Sequence, residues 1–226
     1  YPEESDMKQA VQVGYHEALA SALAVKAYHE MELEGQIGII LNLTPSYPRD
    51  EKNPEDVKAA AIADAFFNRS FLDPAVKGEF PQELVAIVKE LGIMPAINEG
   101  DLTIIKENTI DLLGINYYQP RRVKAKETPI DQENGPMPED YFDNYQMPGR
   151  KMNPYRGWEI YEKGIYDILV NVRENYGNIE CFISENGMGV ENEARFIKED
   201  GMIHDDYRIE FVQEHLKYVH QAIQEG

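Results

Sequence analysis

The stretch Cys181-Phe182-Ile183-Ser184-Glu185-Asn186-Gly187 decides the fold. An apolar run with the look of a buried strand breaks into a carboxylate, an amide and a glycine, placing an acid at the strand's C-terminal tip. Parallel α/β architectures bind ligands and do chemistry at that end, so Glu185 is the first functional candidate. Two other runs read as strands and also end in polar residues. Residues 37–44 finish with Asn42 and Thr44, and residues 110–118 finish with Asn116 and Tyr118. Helical patterns lie around them. Residues 6–34 carry Tyr15, Ala18, Leu19 and Ala22 at helical spacing. Asn53-Pro54 begins a helix with Ile62, Ala65 and Phe66 on one face, and another starts at Pro81 and stops at Gly92. Residues 161–175 bury a stripe of Ile165, Ile168, Leu169 and Val172, and a last helix aligns Val212, Leu216, Val219 and Ile223. Strands alternating with helices predict right-handed βαβ units and a parallel sheet. Pro45-Ser46-Tyr47-Pro48 and residues 119–157 read as loops, the second long enough to be functional or disordered. Asp200-Gly201 suits a tight turn that would close a small hairpin.

Three strands with several helices leave both sheet edges open. That makes a poor complete fold and a reasonable portion of a barrel, a single incomplete domain over residues 1–226 with a tendency to self-associate. The chain starts Tyr1-Pro2-Glu3 without a methionine and ends in a helix at Gly226, so it reads as an excerpt. Its 41 acids against 22 bases set a net charge of −19, which argues against nucleic-acid partners and against anionic membrane surfaces. An anionic substrate would need a local basic pocket, for which Arg121-Arg122 with Lys124 and Lys126 is the obvious candidate. One cysteine excludes an internal disulfide, no apolar run reaches transmembrane length, and no secretory leader is evident, so a cytoplasmic location is expected.

If the three strands are parallel neighbours, Asn42, Thr44, Asn116, Tyr118, Glu185 and Asn186 converge at one rim. A carboxylate, amides and a phenol suit a polyhydroxylated ligand, and a tyrosine hydroxyl beside a carboxylate suits an oriented nucleophile. Strand ends are also polar simply because they meet solvent. Gly187-Met188-Gly189 lacks the third glycine of a dinucleotide turn. His215 and His220 are wrongly spaced to share a helix face, and no His-Glu-x-x-His occurs, so neither a metal nor a cofactor is expected. Cys181 reads as core. Trp158, the lone tryptophan, reads equally as a sugar-stacking platform or as packing.

These residues carry a resemblance. Phe66-Phe67-Asn68-Arg69, Phe71-Leu72-Asp73-Pro74, Leu113-Gly114-Ile115-Asn116-Tyr117-Tyr118, Gly157-Trp158-Glu159-Ile160-Tyr161 and Ile183-Ser184-Glu185-Asn186-Gly187 occur in the order seen in family 1 glycoside hydrolases. The whole chain resembles the second half of such an enzyme, and Ser184-Glu185-Asn186-Gly187-Met188-Gly189 is most similar to the 6-phospho-β-glucosidases. The resemblance implies strands five to seven of a (β/α)8 TIM barrel and a retaining mechanism. It implies Glu185 as nucleophile, Tyr118 as the residue orienting it, and Asn116, Trp158, Asn42 and Tyr47 as substrate contacts. The substrate implied is a 6-phospho-β-glucoside, with an unphosphorylated β-glucoside as the alternative. A non-catalytic sugar-binding or assembly half-barrel is the rival of another class. The family's acid/base lies in an Asn-Glu-Pro-like motif that occurs nowhere here, and its phosphate loop follows strand eight. The isolated chain is therefore expected to be inactive.

Overall fold

The computed structural model describes residues 6–130 and 136–226. Helix α1 (Met7–Glu30) leads into strands β1 (Gly38–Asn42) and β2 (Ser46–Pro48). Next come α2 (Pro54–Asp64), a π-helical turn Ala65–Arg69, α3 (Ser70–Val76), α4 (Gln82–Glu90) and α5 (Asp101–Glu107). The order closes with β3 (Leu112–Tyr117), β4 (Arg121–Ala125), β5 (Phe142–Asn144), α6 (Lys163–Asn175), β6 (Cys181–Asn186) and α7 (Asp206–Glu225). The expected three-stranded sheet is present, parallel throughout, in the order β1-β3-β6. Strand β3 is its centre. Leu113, Ile115 and Tyr117 are fully buried there against Ile165, Ile168 and Val172 of α6 and Leu72 of α3. Burying an aliphatic side chain of this size contributes about 1.5–3 kcal/mol, so this layer anchors the fold.

The opposite face of the sheet is open. Ile40, Gly114 and Phe182 pair across the three strands, and Ile40 and Phe182 are 55% and 45% exposed. The glycine is required by its neighbours, because a Cβ on Gly114 would lie 2.6 Å from Ile40 Cγ1.

Several expectations need correction. Residues 45–48 and 119–157 are not all loop. Strands β2, β4 and β5 form a second sheet in that order, with β2 and β4 parallel and β4 and β5 antiparallel. Two of these strands have three residues, too few for a visible alternation, and Pro48 is tolerated because β2 lies on an edge. This sheet explains a second discrepancy. Helix α2 turns Ala59, Ala60 and Ala63 against Val123 and Phe142, because small residues let the helix approach the strands closely. Of the expected face, Ala65 is fully buried, Phe66 packs against Met7, Val88 and Ile93, and Ile62 is only partly buried. Helix α7 likewise buries Phe211, His215 and Ala222 against its neighbours and leaves Val212, Leu216 and Ile223 exposed, with Val219 only partly buried. Both faces of α7 are apolar in sequence, and packing on α6 selects one. Helices α3 and α5 are too short for the periodicity to reveal. The Asp200-Gly201 turn is present, closed by Lys198 N–H donating to Met202 C=O at 2.9 Å beside the Ile197–Ile203 bridge.

His215 is fully buried, stacked on Phe211 at 4.0 Å, with Nδ1 donating to the Phe211 carbonyl at 2.8 Å. Its Nε2 has no partner among the described residues, and burial holds the imidazole below its ordinary pKa. The folded state thus binds fewer protons than the unfolded chain once the pH falls below about 6.5. Stability should be complete above that pH and fall as the pH drops through the folded value. Urea midpoints between about pH 7.5 and 5 should decline, with His215→Phe flattening the slope; an unchanged slope would contradict this reading. The depressed carboxylates Asp101 and Asp111 act in a separate window, below about pH 4. A packing test is independent of pH. A Cβ on Gly164 of α6 would overlap the Tyr117 hydroxyl, which donates to the Tyr161 carbonyl at 2.6 Å. Gly164→Ala should cost about 1–3 kcal/mol in urea unfolding, the usual range for overpacking, and a neutral result would show that α6 can retreat.

Candidate active site

The site is built by a single irregularity in the strand pairing. Between β3 and β6, Leu113, Gly114 and Ile115 face Cys181, Phe182 and Ile183 in order, after which Asn116 pairs with Glu185 rather than Ser184. Ser184 is the extra residue of a bulge. Regular alternation would turn Glu185 to the helix side with Ile183. The inserted residue re-aims it, as bulges do near functional sites. Glu185 then stands in line with Asn116, which pairs with Asn42 of β1. Ser184 uses its position: its hydroxyl donates to Asn116 Oδ1 at 2.6 Å, and the Asn116 amino group has no partner among the described residues. Glu185 is exposed and its Oε2 accepts a short hydrogen bond from the Tyr118 hydroxyl. That bond, assisted by partial burial, raises the Tyr118 phenol above its ordinary pKa, so the tyrosine remains a donor to the carboxylate.

Trp158 stands beside this pair, its ring 6.1 Å from that of Tyr118 and tilted at 67°. A buried residue that sequence reading passed over fixes it there. Asn153 donates through Nδ2 to the Gly189 carbonyl at 2.8 Å, accepts at Oδ1 from Tyr155 N–H at 2.9 Å, and its backbone N–H reaches the Trp158 carbonyl at 2.6 Å. The hairpin that carries Trp158 is therefore tied to the loop that follows Glu185. Beneath it, Glu159 receives Arg122 in a nearly buried bidentate ion pair at 2.6–3.0 Å. Such a pair is a weak source of stability but costs several kcal/mol (about 3–5) if one partner is removed.

Asn42, Asn116, Tyr118, Glu185 and Trp158 are thus brought together, while three other candidates are engaged elsewhere. Tyr47 is not free at this rim: its hydroxyl donates to Asp167 of α6 at 2.6 Å, and its ring meets Tyr161 edge-on at 5.3 Å. Thr44 is held through its backbone by both ends of the Asn68 amide, and Asn186 donates to the Tyr117 carbonyl at 2.8 Å. The one candidate basic cluster is likewise engaged among the described residues. Arg122, Lys124 and Lys126 are paired with Glu159, Glu127 and Asp143, and Arg121 lies over the Phe67 ring, 3.9 Å from its centroid. Among the described residues no group of three His, Cys, Asp or Glu side chains is arranged to hold a metal ion, and no helix is long and apolar enough to cross a membrane.

Two measurements check this geometry. In Glu185→Gln the Tyr118 phenol loses its anionic acceptor, so its titration, followed by carbon NMR of labelled tyrosine, should drop toward the ordinary value near 10. No drop would mean that the hydrogen bond is not formed. Asn153→Ala leaves the Gly189 carbonyl and Tyr155 N–H unpaired, at a cost of about 1–3 kcal/mol. The emission of Trp158, the only tryptophan, should move to longer wavelength; an unshifted spectrum would release Asn153 from this role.

Known proteins are similar to this chain along its whole length. The sequence profile of "Glycosyl hydrolase family 1" matches residues 1–226. The chain is 69% identical over 226 residues to 6-phospho-beta-glucosidase GmuD of Bacillus subtilis (strain 168), covering 100% of this chain and 48% of the relative. It is 33% identical over 224 residues to Beta-glucosidase A of Acetivibrio thermocellus, covering 98% and 46%. Among solved structures, the psychrophilic beta-glucosidase BglU from Micrococcus antarcticus superposes with a TM-score of 0.82 at 32% identity, over 99% of this chain and 48% of that one. The family 1 b-glucosidase from Thermotoga maritima gives 0.81 at 30%, over 98% and 46%. The chain spans about half the length of the curated relatives it matches. With its whole length matched, the chain belongs to glycosyl hydrolase family 1.

Proposed function

We propose that this chain carries strands five to seven of a retaining glycosidase barrel, as one incomplete domain, and supplies the nucleophile for cleavage of 6-phospho-β-glucosides. The observation that carries this reading is the Tyr118–Glu185 hydrogen bond at the tip of a parallel strand, in register with Asn116 and Asn42. In the reaction a Glu185 oxygen attacks the anomeric carbon as the bond to the leaving-group oxygen breaks, giving a glycosyl ester. Water then attacks the same carbon and returns the carboxylate. Tyr118 keeps the attacking oxygen oriented, Asn116 offers its amino group to a sugar hydroxyl, Asn42 extends the polar rim, and Trp158 supplies a stacking face. The leaving group needs a proton from a second carboxyl about 5 Å from the first. No Asn-Glu-Pro sequence is present to provide it. Strands β1 and β6 are the free edges where the remaining barrel strands would pair, from the same or another polypeptide.

The phosphorylated substrate is favoured by the 69% identity to a protein named a 6-phospho-β-glucosidase. The β-glucosidases among the relatives and structural neighbours favour the unphosphorylated alternative. The chain alone should not hydrolyse nitrophenyl 6-phospho-β-glucoside. A chimera in which it replaces the matching segment of GmuD should, and Glu185→Gln should abolish that activity. Dinitrophenolate leaves a dinitrophenyl 2-deoxy-2-fluoro-β-glucoside without acid assistance, so the 6-phosphate of this reagent should glycosylate the chimera on the peptide containing Glu185. Label on any other residue would overturn the assignment, and faster labelling by the unphosphorylated reagent would select the alternative substrate.

A further inference from the structure

The arginines of this acidic chain are mostly consumed by carboxylates. Arg49, Arg69, Arg122, Arg173 and Arg208 each hold at least one. Arg156 does not. It is exposed, and among the described residues it makes no ion pair and donates no hydrogen bond, although Glu191 lies only two residues beyond the glycine it packs on. Its guanidinium lies over the indole of Trp158, 4.9 Å from the ring centroid. The placement is built. A Cβ on Gly189 would lie 2.5 Å from Arg156 Cδ and 2.7 Å from Nη1, so the absence of a side chain there makes the berth. Asn153 ties the Arg156 hairpin to the Gly189 carbonyl at 2.8 Å.

A guanidinium stacked on an aromatic face keeps the N–H donors at its edge free, in a fork that matches carboxylate and phosphate oxygens. Its charge is not neutralised locally, in a chain whose net charge of −19 otherwise repels anions. Trp158 touches both groups, its ring 4.9 Å from this cation and 6.1 Å from the ring of Tyr118, which holds Glu185. We infer that Arg156 is a specificity residue: it binds an anionic group, carboxylate or phosphate, carried on the leaving-group side of the glycoside. The inference rests on the glycosidase reading above and adds a charge requirement that this reading does not contain. Arg195, stacked on Phe196 at 4.9 Å and also free of carboxylates among the described residues, adds positive charge to the same loops.

The test uses the 226-residue chain and the indole N–H resonance of its one tryptophan, which reports millimolar binding. The probes are 4-carboxyphenyl β-glucoside, its neutral isostere 4-carbamoylphenyl β-glucoside, and glucose 6-phosphate. The carboxylate should bind about three- to fivefold more tightly than the amide, the scale of an exposed ion pair, and half-molar salt should erase the difference. Arg156→Met should bring the ratio to one, with Arg156→Lys retaining part of it. Gly189→Ala, which displaces the guanidinium without removing it, should also lower the ratio while the amide spectrum stays folded. A ratio unchanged in Arg156→Met overturns the inference, as does no saturable shift with either glycoside. An Arg156-dependent shift with glucose 6-phosphate instead would overturn the leaving-group placement by putting the anion on the sugar. Failure of the glycosidase reading is separate: it is the absence of Glu185 labelling in the chimera, whatever Arg156 does.

Discussion

One residue too many in strand β6 organises the functional end of this molecule. Pairing between β3 and β6 is regular up to Ile115 and Ile183, and the bulge at Ser184 then shifts it so that Asn116 meets Glu185. Without the shift the carboxylate would point into the layer where Ile183 packs against the helices, and burial of an unpaired carboxylate is among the costliest substitutions a core can suffer. With it, Ser184 and Glu185 both serve the rim, one holding Asn116 and the other taking the tyrosine hydroxyl. The rigidity behind this comes from β3, whose side chains at Leu113, Ile115 and Tyr117 are sealed by α6 and α3. A site on a central strand is held more firmly than one on a loop.

The second sheet performs the complementary task of placing the aromatic wall. Strand β4 presents Val123 to the alanine face of α2 and Arg122 to Glu159, and the residue before Glu159 is Trp158. The ion pair thus sits directly under the platform. Asn153 closes the arrangement from the other side by joining that hairpin to the loop after β6. Two separate contacts, one ionic and one an amide bridge, therefore set the distance between Trp158 and Tyr118. A side chain as large as an indole has many ways to miss its place by an ångström, and stacking is lost over such distances.

How much of this was legible depended on whether the deciding contact was local. The three parallel strands could be read because each is a run of apolar residues ending in polar ones, a pattern contained in a few consecutive positions. Glu185, Tyr118 and Asn116 followed from the same pattern. Strands β2 and β5 could not be read, since three residues carry no periodicity and their partners lie far along the chain. The inward face of α7 was ambiguous because Phe211, His215 and Ala222 compete with Val212, Leu216 and Ile223, and only the neighbouring helix decides. The hydrogen bond from the Tyr47 hydroxyl to Asp167 could not be read either, because Asp167 is a helix residue that nothing near Tyr47 announces. The bulge and the Asn153 bridge share this character. Each exists only between two segments.

The open face of the parallel sheet has a colloidal consequence. Ile40 and Phe182 lean over the bare backbone of Gly114, and Ile209, Val212, Leu216 and Ile223 line the outer face of α7. These apolar surfaces attract one another between copies at short range. Every copy also carries a formal charge of −19, which repels the next copy over a distance set by the ionic atmosphere. The two forces differ in reach, and added salt shortens only the repulsion.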